Sequence, residues 1–239
     1  RHYVAAFQHY TRIVARQIES VLEALYSTPA GKNTIVIVLA DHGDGMGSHR
    51  MVTKQVSFYE EMTNVPFIIA GPGIHPRQKP VEDLLTQPTI DLLPTLCELA
   101  GIPVPSSKPG ISLAPFLKGE KQKRQHPYAA SEWHSEYEVT VSPGRMIRSP
   151  RYKYTHYLEG NGEELYDMLK DKGERRNLAH DPKYSKILAE HRALLDDYIR
   201  RTQDDYRSLK VEADKRWRSH APGYPNHEGP CARDIINRK

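Results

Sequence analysis

Residues 34–50 read Thr-Ile-Val-Ile-Val-Leu-Ala-Asp-His-Gly-Asp-Gly-Met-Gly-Ser-His-Arg. The run from Ile35 to Ala40 is apolar throughout and is bounded by turn residues, which is typical of a β-strand buried on both faces. Asp41 and His42 follow directly, and the glycines after them allow sharp turns of the backbone. Ligands of open α/β sheets bind beyond the carboxyl ends of the strands, so the sequence predicts a ligand site at this point.

Asp41 and His42 offer one carboxylate oxygen and one imidazole nitrogen, which together suit a divalent cation. Taken alone, the dipeptide is equally consistent with a turn at a strand end, because Asp and Gly are ordinary turn residues. Lys54 comes shortly afterwards and, judged by itself, is consistent with a solvated surface lysine. A second strand is predicted at residues 65–70, where Val-Pro-Phe-Ile-Ile-Ala is ended by Gly-Pro-Gly.

The motifs of residues 40–66 resemble those of the sulfatase family of the alkaline-phosphatase superfamily. In that family a strand ends in Ser/Ala-Asp-His-Gly, then come a Gly-x-His and a lysine, and an aromatic-acidic pair precedes Val-Pro. The corresponding positions here are Ala40-Asp41-His42-Gly43, Gly47-Ser48-His49, Lys54, Tyr59-Glu60 and Val65-Pro66. There are two departures: Asp44 stands where the family more often has Glu, and one residue is inserted between Lys54 and Tyr59.

The resemblance implies a role for four residues. Asp41 and His42 would be metal ligands that complete a calcium site, with magnesium the less favoured ion. Lys54 would be catalytic by contacting the sulfate group. His49 would either contact the substrate or hydrogen-bond its own loop, and the sequence leaves both open. A cation and an ammonium group around a sulfate ester stabilise the negative charge that develops in the transition state.

The family's nucleophile does not occur in this sequence. It is a formylglycine made from Cys or Ser in a Cys/Ser-x-Pro/Ala-x-Arg motif, and neither Cys97 nor Cys231 lies in such a motif. The N-terminal Asp-Asp metal pair of the family is also absent. The resemblance therefore implies a C-terminal half whose partner, the N-terminal half of the same enzyme, carries the formylglycine. We expect this chain alone to be inactive, and the substrate of the whole enzyme to be a sulfated small molecule or sugar.

Two other functions stay open at this point. A phosphonate monoester hydrolase or phosphodiesterase of the same superfamily would share the Asp-His metal pair. A non-catalytic module that binds anionic sugars would need no nucleophile at all. A Cys/Ser-x-Pro-x-Arg motif in the N-terminal half would separate an enzyme from such a module.

The resemblance implies the α/β fold class, and we expect the first and the second part of the chain to have different architectures. Residues 1–117 would be the C-terminal part of an alkaline-phosphatase-like α/β sandwich, with apolar helical stripes at residues 2–26 and 89–100. Residues 118–126 are charged and lack an apolar anchor, so we expect a linker there. Residues 127–206 would form a small antiparallel sheet crossed by a helix, and residues 207–239 an extended tail.

Composition excludes some classes of protein. The 239 residues are 38% hydrophobic and 27% charged, and no apolar run approaches the ~20 residues that span a bilayer, so we expect no membrane segment. The net charge of +4 is spread along the chain and gives no reason to expect a nucleic-acid partner. Cys97 is expected to be a buried small hydrophobe. Oligomeric state stays open, and the family resemblance favours a periplasmic or extracellular location.

Overall fold

The computed structural model describes residues 2–51, 57–82, 84–106, 109–121, 126–134, 143–158 and 162–209. They fall into two compact units, the first comprising residues 1–55 and 61–127, the second residues 56–60 and 128–239. Lys54, Cys231 and nearly all of the expected tail lie outside the described residues. Part of the expected linker 118–126 lies outside them as well, so that boundary stays a prediction.

The first unit combines helices with a two-stranded sheet, in which β1 and β2 pair antiparallel with Val36 opposite Ala70. Its elements are α1 (His2–Tyr26), β1 (Val36–Leu39), α2 (Glu60–Thr63), β2 (Phe67–Ala70), α3 (Pro88–Leu99) and α4 (Ala114–Leu117). The first residue of α2, Glu60, belongs to the second unit. No helix in the described part of the chain is both long enough and apolar enough to cross a bilayer.

The expectation that β1 is buried on both faces is wrong for this chain. All four of its residues are at least partly exposed, and Leu39 is 43% exposed. Within the described residues β1 pairs with β2 alone, so little of the chain is available to cover its faces. Cys97 is likewise only partly buried rather than fully buried. The residues at these positions are as apolar as those of a protein interior, but they are not fully buried.

The long helix α1 shows the same pattern. None of its residues is buried. The predicted apolar stripe is present, but four of its side chains are exposed, and so is the neighbouring Ile13; the five residues are Tyr10, Ile13, Val14, Ile18 and Val21. We call these five residues the α1 apolar face. A stripe of this kind normally packs against another element, because the hydrophobic effect favours its removal from water.

The start of α3 is fixed by the buried side chain of Asp91. The residue at the N-cap position is Gln87, and its side chain makes no capping hydrogen bond. Instead, the fully buried Asp91 accepts a hydrogen bond from the Gln87 backbone N–H at 2.7 Å. Its second oxygen accepts from the Ile111 N–H at 2.8 Å and lies 2.7 Å from His126 Nε2. One carboxylate therefore ties three segments of the first unit together.

The second unit has the expected antiparallel sheet crossed by a helix. Four strands pair in the order β3-β4-β5-β6. They are β3 (Ala129–Trp133), β4 (Gly144–Arg148), β5 (Tyr152–Tyr157) and β6 (Gly162–Asp167), followed by α5 (Ser185–Thr202). The buried core between sheet and helix consists of Tyr128, Ile147, Tyr154, Leu165, Leu178, Leu188 and Leu195. This architecture confirms the predicted fold class for this part of the chain.

The helix α5 buries the stripe predicted for it. Leu188, His191 and Leu195 are buried, and their neighbours on the same face pack against the core. The helix ends at Thr202, because Gln203 adopts a left-handed conformation with φ of 55° and its N–H donates back to the Ile199 carbonyl. The chain beyond it is held by Tyr206, which is fully buried and donates a hydrogen bond to the His156 carbonyl.

Candidate functional site

The turn after β1 is shaped by a close approach of two backbone segments. The Gly43 N–H donates a hydrogen bond to the Met62 carbonyl at 3.0 Å. A Cβ atom built on Gly43 would lie only 1.8 Å from the Glu61 carbonyl oxygen. Any side chain at this position would push the backbone of α2 away, so only glycine fits here. The third residue of the Asp-His-Gly motif is therefore required to be glycine by the local packing of the backbone.

Asp41 and His42, the two predicted metal ligands, lie side by side at the end of β1. Asp41 Oδ1 accepts a hydrogen bond from the His42 backbone N–H at 2.9 Å. Asp41 Oδ2 lies 3.6 Å from His42 Nε2, and both side chains are exposed to solvent. The bond from the neighbouring N–H fixes the carboxylate, and its second oxygen is left pointing at the imidazole.

The tautomer of His42 follows from its other nitrogen. His42 Nδ1 lies 2.8 Å from the Gly43 carbonyl oxygen, which can only accept, so Nδ1 carries the proton. The neutral ring then presents a lone pair at Nε2. Two ligand atoms bound at right angles to one Ca²⁺ at about 2.4 Å would be about 3.4 Å apart. The observed separation of 3.6 Å between Asp41 Oδ2 and His42 Nε2 therefore fits a shared divalent cation.

The pair supplies only part of a metal site. Within the ranges that the structure describes, no three His, Cys, Asp or Glu side chains come close enough together to hold a metal ion. Calcium normally takes ~6–8 oxygen ligands. Asp41 and His42 would therefore need several further ligands from outside these residues.

The loop after the pair is tight and contains several residues with unusual backbone angles. Asp44 acts as a turn residue: its Oδ1 accepts hydrogen bonds from the Met46 N–H at 3.0 Å and from the Tyr3 hydroxyl at 3.1 Å. Met46, His49 and Arg50 all have positive φ, at 48°, 49° and 63°. Strained conformations of non-glycine residues concentrate at functional sites. His49 is half-buried in this loop, and its catalytic role stays a prediction.

Lys54 lies outside the described residues, so its predicted contact with a sulfate group is neither supported nor opposed by the structure. Residues 57–60, a few positions further along, are described, and they lead to a cluster that the sequence did not predict. Lys153, expected only as part of an aromatic strand, is 1% exposed. Its Nζ donates to the Phe58 carbonyl at 2.9 Å and lies 2.7 Å from Glu60 Oε1. Only its place within a strand, between two tyrosines, could have hinted at its burial.

Two further carboxylates complete this cluster in the second unit. Glu174 Oε1 lies 2.9 Å from Lys153 Nζ, an ion pair without the alignment of a hydrogen bond. Glu164 is nearly fully buried, and its Oε1 accepts a hydrogen bond from the Tyr59 hydroxyl at 3.4 Å. Burial raises the pKa of Glu164 to about 7, and the negative charge of Glu174 acts in the same direction. Burial also raises the pKa of Glu174, against the attraction of Lys153.

Comparison with known proteins decides the family. The profile of a family described as N-sulphoglucosamine sulphohydrolase, C-terminal, matches residues 47–201, which is more than half of the chain. The chain belongs to the sulfatase family. Sulfatases in general use a metal ion and a formylglycine, in keeping with the Asp41–His42 pair. The match covers both His49 and Lys54 and extends through α5.

Individual relatives agree with the family. Over all 239 residues the chain is 76% identical to a Δ4,5-hexuronate-2-O-sulfatase of Bacteroides thetaiotaomicron, of which it covers 50%. It is also 76% identical to a solved structure of a 2-O glycosaminoglycan sulfatase, with a TM-score of 0.88 and coverage of 98% of this chain and 51% of that one. The sulfatase fold of the alkaline-phosphatase superfamily is thereby confirmed.

A more distant structure relates to the alternative function. A phosphonate monoester hydrolase of Agrobacterium radiobacter is 25% identical, with a TM-score of 0.67, over 84% of this chain and 42% of that one. The chain spans about half the length of each of these proteins.

Proposed function

We propose that this chain is the C-terminal half of a sulfatase that removes a sulfate ester from a carbohydrate. The observation that carries the proposal is the Asp41–His42 pair at the carboxyl end of β1, with ligand atoms 3.6 Å apart. The identity of 76% with a hexuronate 2-O-sulfatase supports a 2-O-sulfated hexuronate as the substrate. The nucleophile would lie in the N-terminal half of the same enzyme, outside this chain.

Each candidate residue has a stated role in this proposal. Asp41 and His42 would hold a divalent cation, with Ca²⁺ favoured over Mg²⁺ by the family resemblance. When bound, the cation supplies positive charge that stabilises the charge developing on the sulfate group. Lys54 would bind a sulfate oxygen through its ammonium group, and His49 would contact the substrate or support the loop. None of these residues supplies the nucleophile.

The N-terminal half would have a second role, which is to cover apolar surface. The α1 apolar face and Leu39 and Ile68 of the small sheet are exposed in this chain. Exposed patches of this kind mark interaction surfaces, and an uncovered strand edge favours association. The N-terminal half would bury these residues and supply the ligands that Asp41 and His42 lack.

The test is substitution in the full-length enzyme. We expect Asp41→Ala to lower kcat/KM for a 2-O-sulfated hexuronate by on the order of 10²–10³, because one electrostatic stabiliser of the transition state is lost. Glu23→Ala, on the exposed surface of α1, is the matched control and should keep wild-type turnover. Turnover near the wild-type value in Asp41→Ala would contradict the proposal, provided that its melting temperature matches that of the control.

The second candidate is hydrolysis of a phosphonate or phosphate ester, which the likeness to the phosphonate monoester hydrolase favours. One preparation of the full-length enzyme should be assayed with an aryl sulfate, an aryl phosphonate and a phosphate diester. We expect kcat/KM for the sulfate to exceed the other two. A higher value for the phosphonate would make the second candidate the correct one.

A further inference from the structure

The segment of residues 167–186 joins β6 to the first turn of α5 and carries four acidic and six basic side chains. The acidic residues are Asp167, Asp171, Glu174 and Asp181, and the basic residues are Lys170, Lys172, Arg175, Arg176, Lys183 and Lys186. The two signs of charge are interspersed in sequence, a pattern that is typical of a solvated surface of mixed charge. In the folded chain, however, the acidic and the basic side chains differ in burial.

Two of the acidic side chains are buried against cations elsewhere in the second unit. Asp167 is 3% exposed and Glu174 is 2% exposed. Asp167 Oδ2 accepts a hydrogen bond from Arg151 Nη2 at 2.7 Å. Glu174 Oε1 lies 2.9 Å from Lys153 Nζ. The negative charges of both residues are therefore compensated by cations outside the segment.

The other two acidic side chains are half-buried and bind the backbone of the segment. Asp171 Oδ2 accepts hydrogen bonds from the N–H groups of Arg175 and Arg176, both at 2.9 Å. Asp181 Oδ1 accepts one from the Lys183 N–H at 3.0 Å, and its Oδ2 accepts one from Arg176 Nη2 at 3.3 Å. These hydrogen bonds also bring the two turns of the segment side by side.

The basic side chains of the segment face solvent. All six basic residues are exposed, and we call them the basic surface. Three of them, Lys170, Arg175 and Lys183, form no ion pair within the described part of the chain. Because the acidic side chains are turned inward, the surface of this segment is more positive than its sequence indicates.

We propose that the basic surface binds a linear sulfated polysaccharide. This inference rests on the proposed function, in which the substrate is a sulfated hexuronate and so bears both a sulfate and a carboxylate group. A polymer of such units is a polyanion, and clustered Lys and Arg side chains attract polyanions. The planar guanidinium groups of Arg175 and Arg176 offer paired N–H donors that match the oxygens of such anions.

Nucleic acid is the other linear polyanion that binds basic surfaces. Proteins that bind single strands stack the bases on exposed aromatic side chains. Tyr184 is the one Phe, Tyr or Trp residue of the segment, and it is half-buried and packs against the core of the second unit. The segment therefore offers charge without a stacking surface, which favours a charged sugar polymer.

The test uses the full-length enzyme, with heparin as the probe and titration calorimetry as the measurement. We expect Lys170→Glu with Lys183→Glu to weaken heparin binding on the order of tenfold, because two attractive contacts become repulsive. Lys118→Glu with Lys121→Glu, at two exposed lysines of the first unit, is the control with the same change in net charge. It should weaken binding by less than about twofold, since charges beyond about 10 Å are screened by salt. Equal weakening in the two variants, or weakening in neither, would overturn the proposal.

A milder variant and a second polyanion sharpen the test. Lys170→Gln with Lys183→Gln removes the two charges without reversing them, so it should weaken heparin binding by only about threefold. Duplex DNA at the same concentration of charges should bind the wild type more weakly than heparin does. Tighter binding of DNA would overturn the choice of a sulfated polysaccharide as the ligand.

Hydrolysis of an aryl sulfate by the same preparations distinguishes failure of this inference from failure of the proposed function. All of the lysine variants should hydrolyse it at the wild-type rate, because none of the substituted lysines is a proposed metal ligand or catalytic group. If the enzyme hydrolyses the aryl sulfate and heparin binding does not depend on Lys170 and Lys183, only the binding surface is wrong. If heparin binding depends on them and the wild type does not hydrolyse the aryl sulfate, the binding surface stands and the proposed function is wrong.

Discussion

The two units of the chain contain similar apolar sequences and bury them to very different extents. In the second unit Leu165 and Ile147 are 0% exposed, because α5 covers one face of a four-stranded sheet. In the first unit β1 is equally apolar in sequence, but Leu39 is 43% exposed. A two-stranded sheet cannot form a core by itself. The difference shows that the second unit buries an apolar core within the described residues, whereas the first unit leaves comparable apolar side chains exposed in them.

The largest expected effect concerns the core of the second unit. We expect Leu165→Ala to lower the free energy of unfolding by about 4 kcal/mol, because it removes a fully buried side chain and leaves a cavity. Leu39→Ala in β1 is the matched substitution in the first unit and should cost less than about 1 kcal/mol. Urea unfolding followed by circular dichroism measures both. Equal losses at the two positions would show that β1 is as well packed as β6 and would remove the contrast between the units.

The buried carboxyl group of Glu164 should make the stability of the second unit depend on pH. Its pKa of about 7 in the folded state lies above the 4.5 of an ordinary glutamate, so the folded state binds the proton more tightly. Stability should therefore fall as the pH rises from about 4.5 to 7, by up to about 3 kcal/mol. Glu164→Gln should remove this dependence, which makes the variant more stable at pH 8 and no more stable at pH 4. Thermal melts between pH 4 and pH 8 measure this dependence. If the stability of Glu164→Gln falls with pH as steeply as that of the wild type, burial of Glu164 is not its cause.

Gly43 tests the close approach at the end of β1. Gly43→Ala forces a Cβ to within 1.8 Å of the Glu61 carbonyl, so the α2 backbone must shift. We expect a loss of about 2 kcal/mol, typical of overpacking. Gly73→Ala is the control: Gly73 has positive φ, but its Cβ would meet no atom within 4 Å, so backbone strain alone should cost about 1 kcal/mol. If Gly73→Ala proves the more costly of the two, the turn at Asp41–His42 is looser than the structure indicates.

The smallest effect on stability is expected on the α1 apolar face. Val21→Glu replaces a residue that is 68% exposed, so in this chain the free energy of unfolding should change by less than about 0.5 kcal/mol. Its effect should appear as weaker self-association in sedimentation and poorer assembly with the N-terminal half. Leu169→Glu, at an equally exposed residue of the second unit, should change neither. Equal behaviour of the two variants would mean that α1 is not the interface.

The sequence predicted the secondary-structure elements better than it predicted their burial. The apolar stripe of α5 and the alternating side chains of the four strands predicted the architecture of the second unit. The spacing of apolar residues along a helix or strand is enough to determine which of its faces is apolar. Asp41 and His42 lie side by side as expected, because adjacent residues at a strand end are placed by local geometry, and their role as metal ligands stays a prediction. The burial of β1 was overestimated, since burial depends on which elements pack against a strand and not on the strand's own sequence.

Lys153 was missed for a different physical reason. Its partners Phe58, Glu60 and Glu174 are far away in sequence, and a lysine in a strand normally points to solvent. Asp91 was missed at α3 because its contact with Ile111 also depends on tertiary structure. Contacts between residues distant in the chain have no local pattern, so only the folded structure reveals them.

The most direct test of the account is calcium binding by this chain alone and by the same chain assembled with the N-terminal half of its enzyme. Calorimetry should give weak calcium affinity for the chain alone, because Asp41 and His42 supply two of the ~6–8 ligands that calcium takes. Assembly should restore tight binding, solubility and hydrolysis of an aryl sulfate together. A soluble monomer of this chain with micromolar calcium affinity and genuine turnover would contradict the account, because its site would then be complete without a partner.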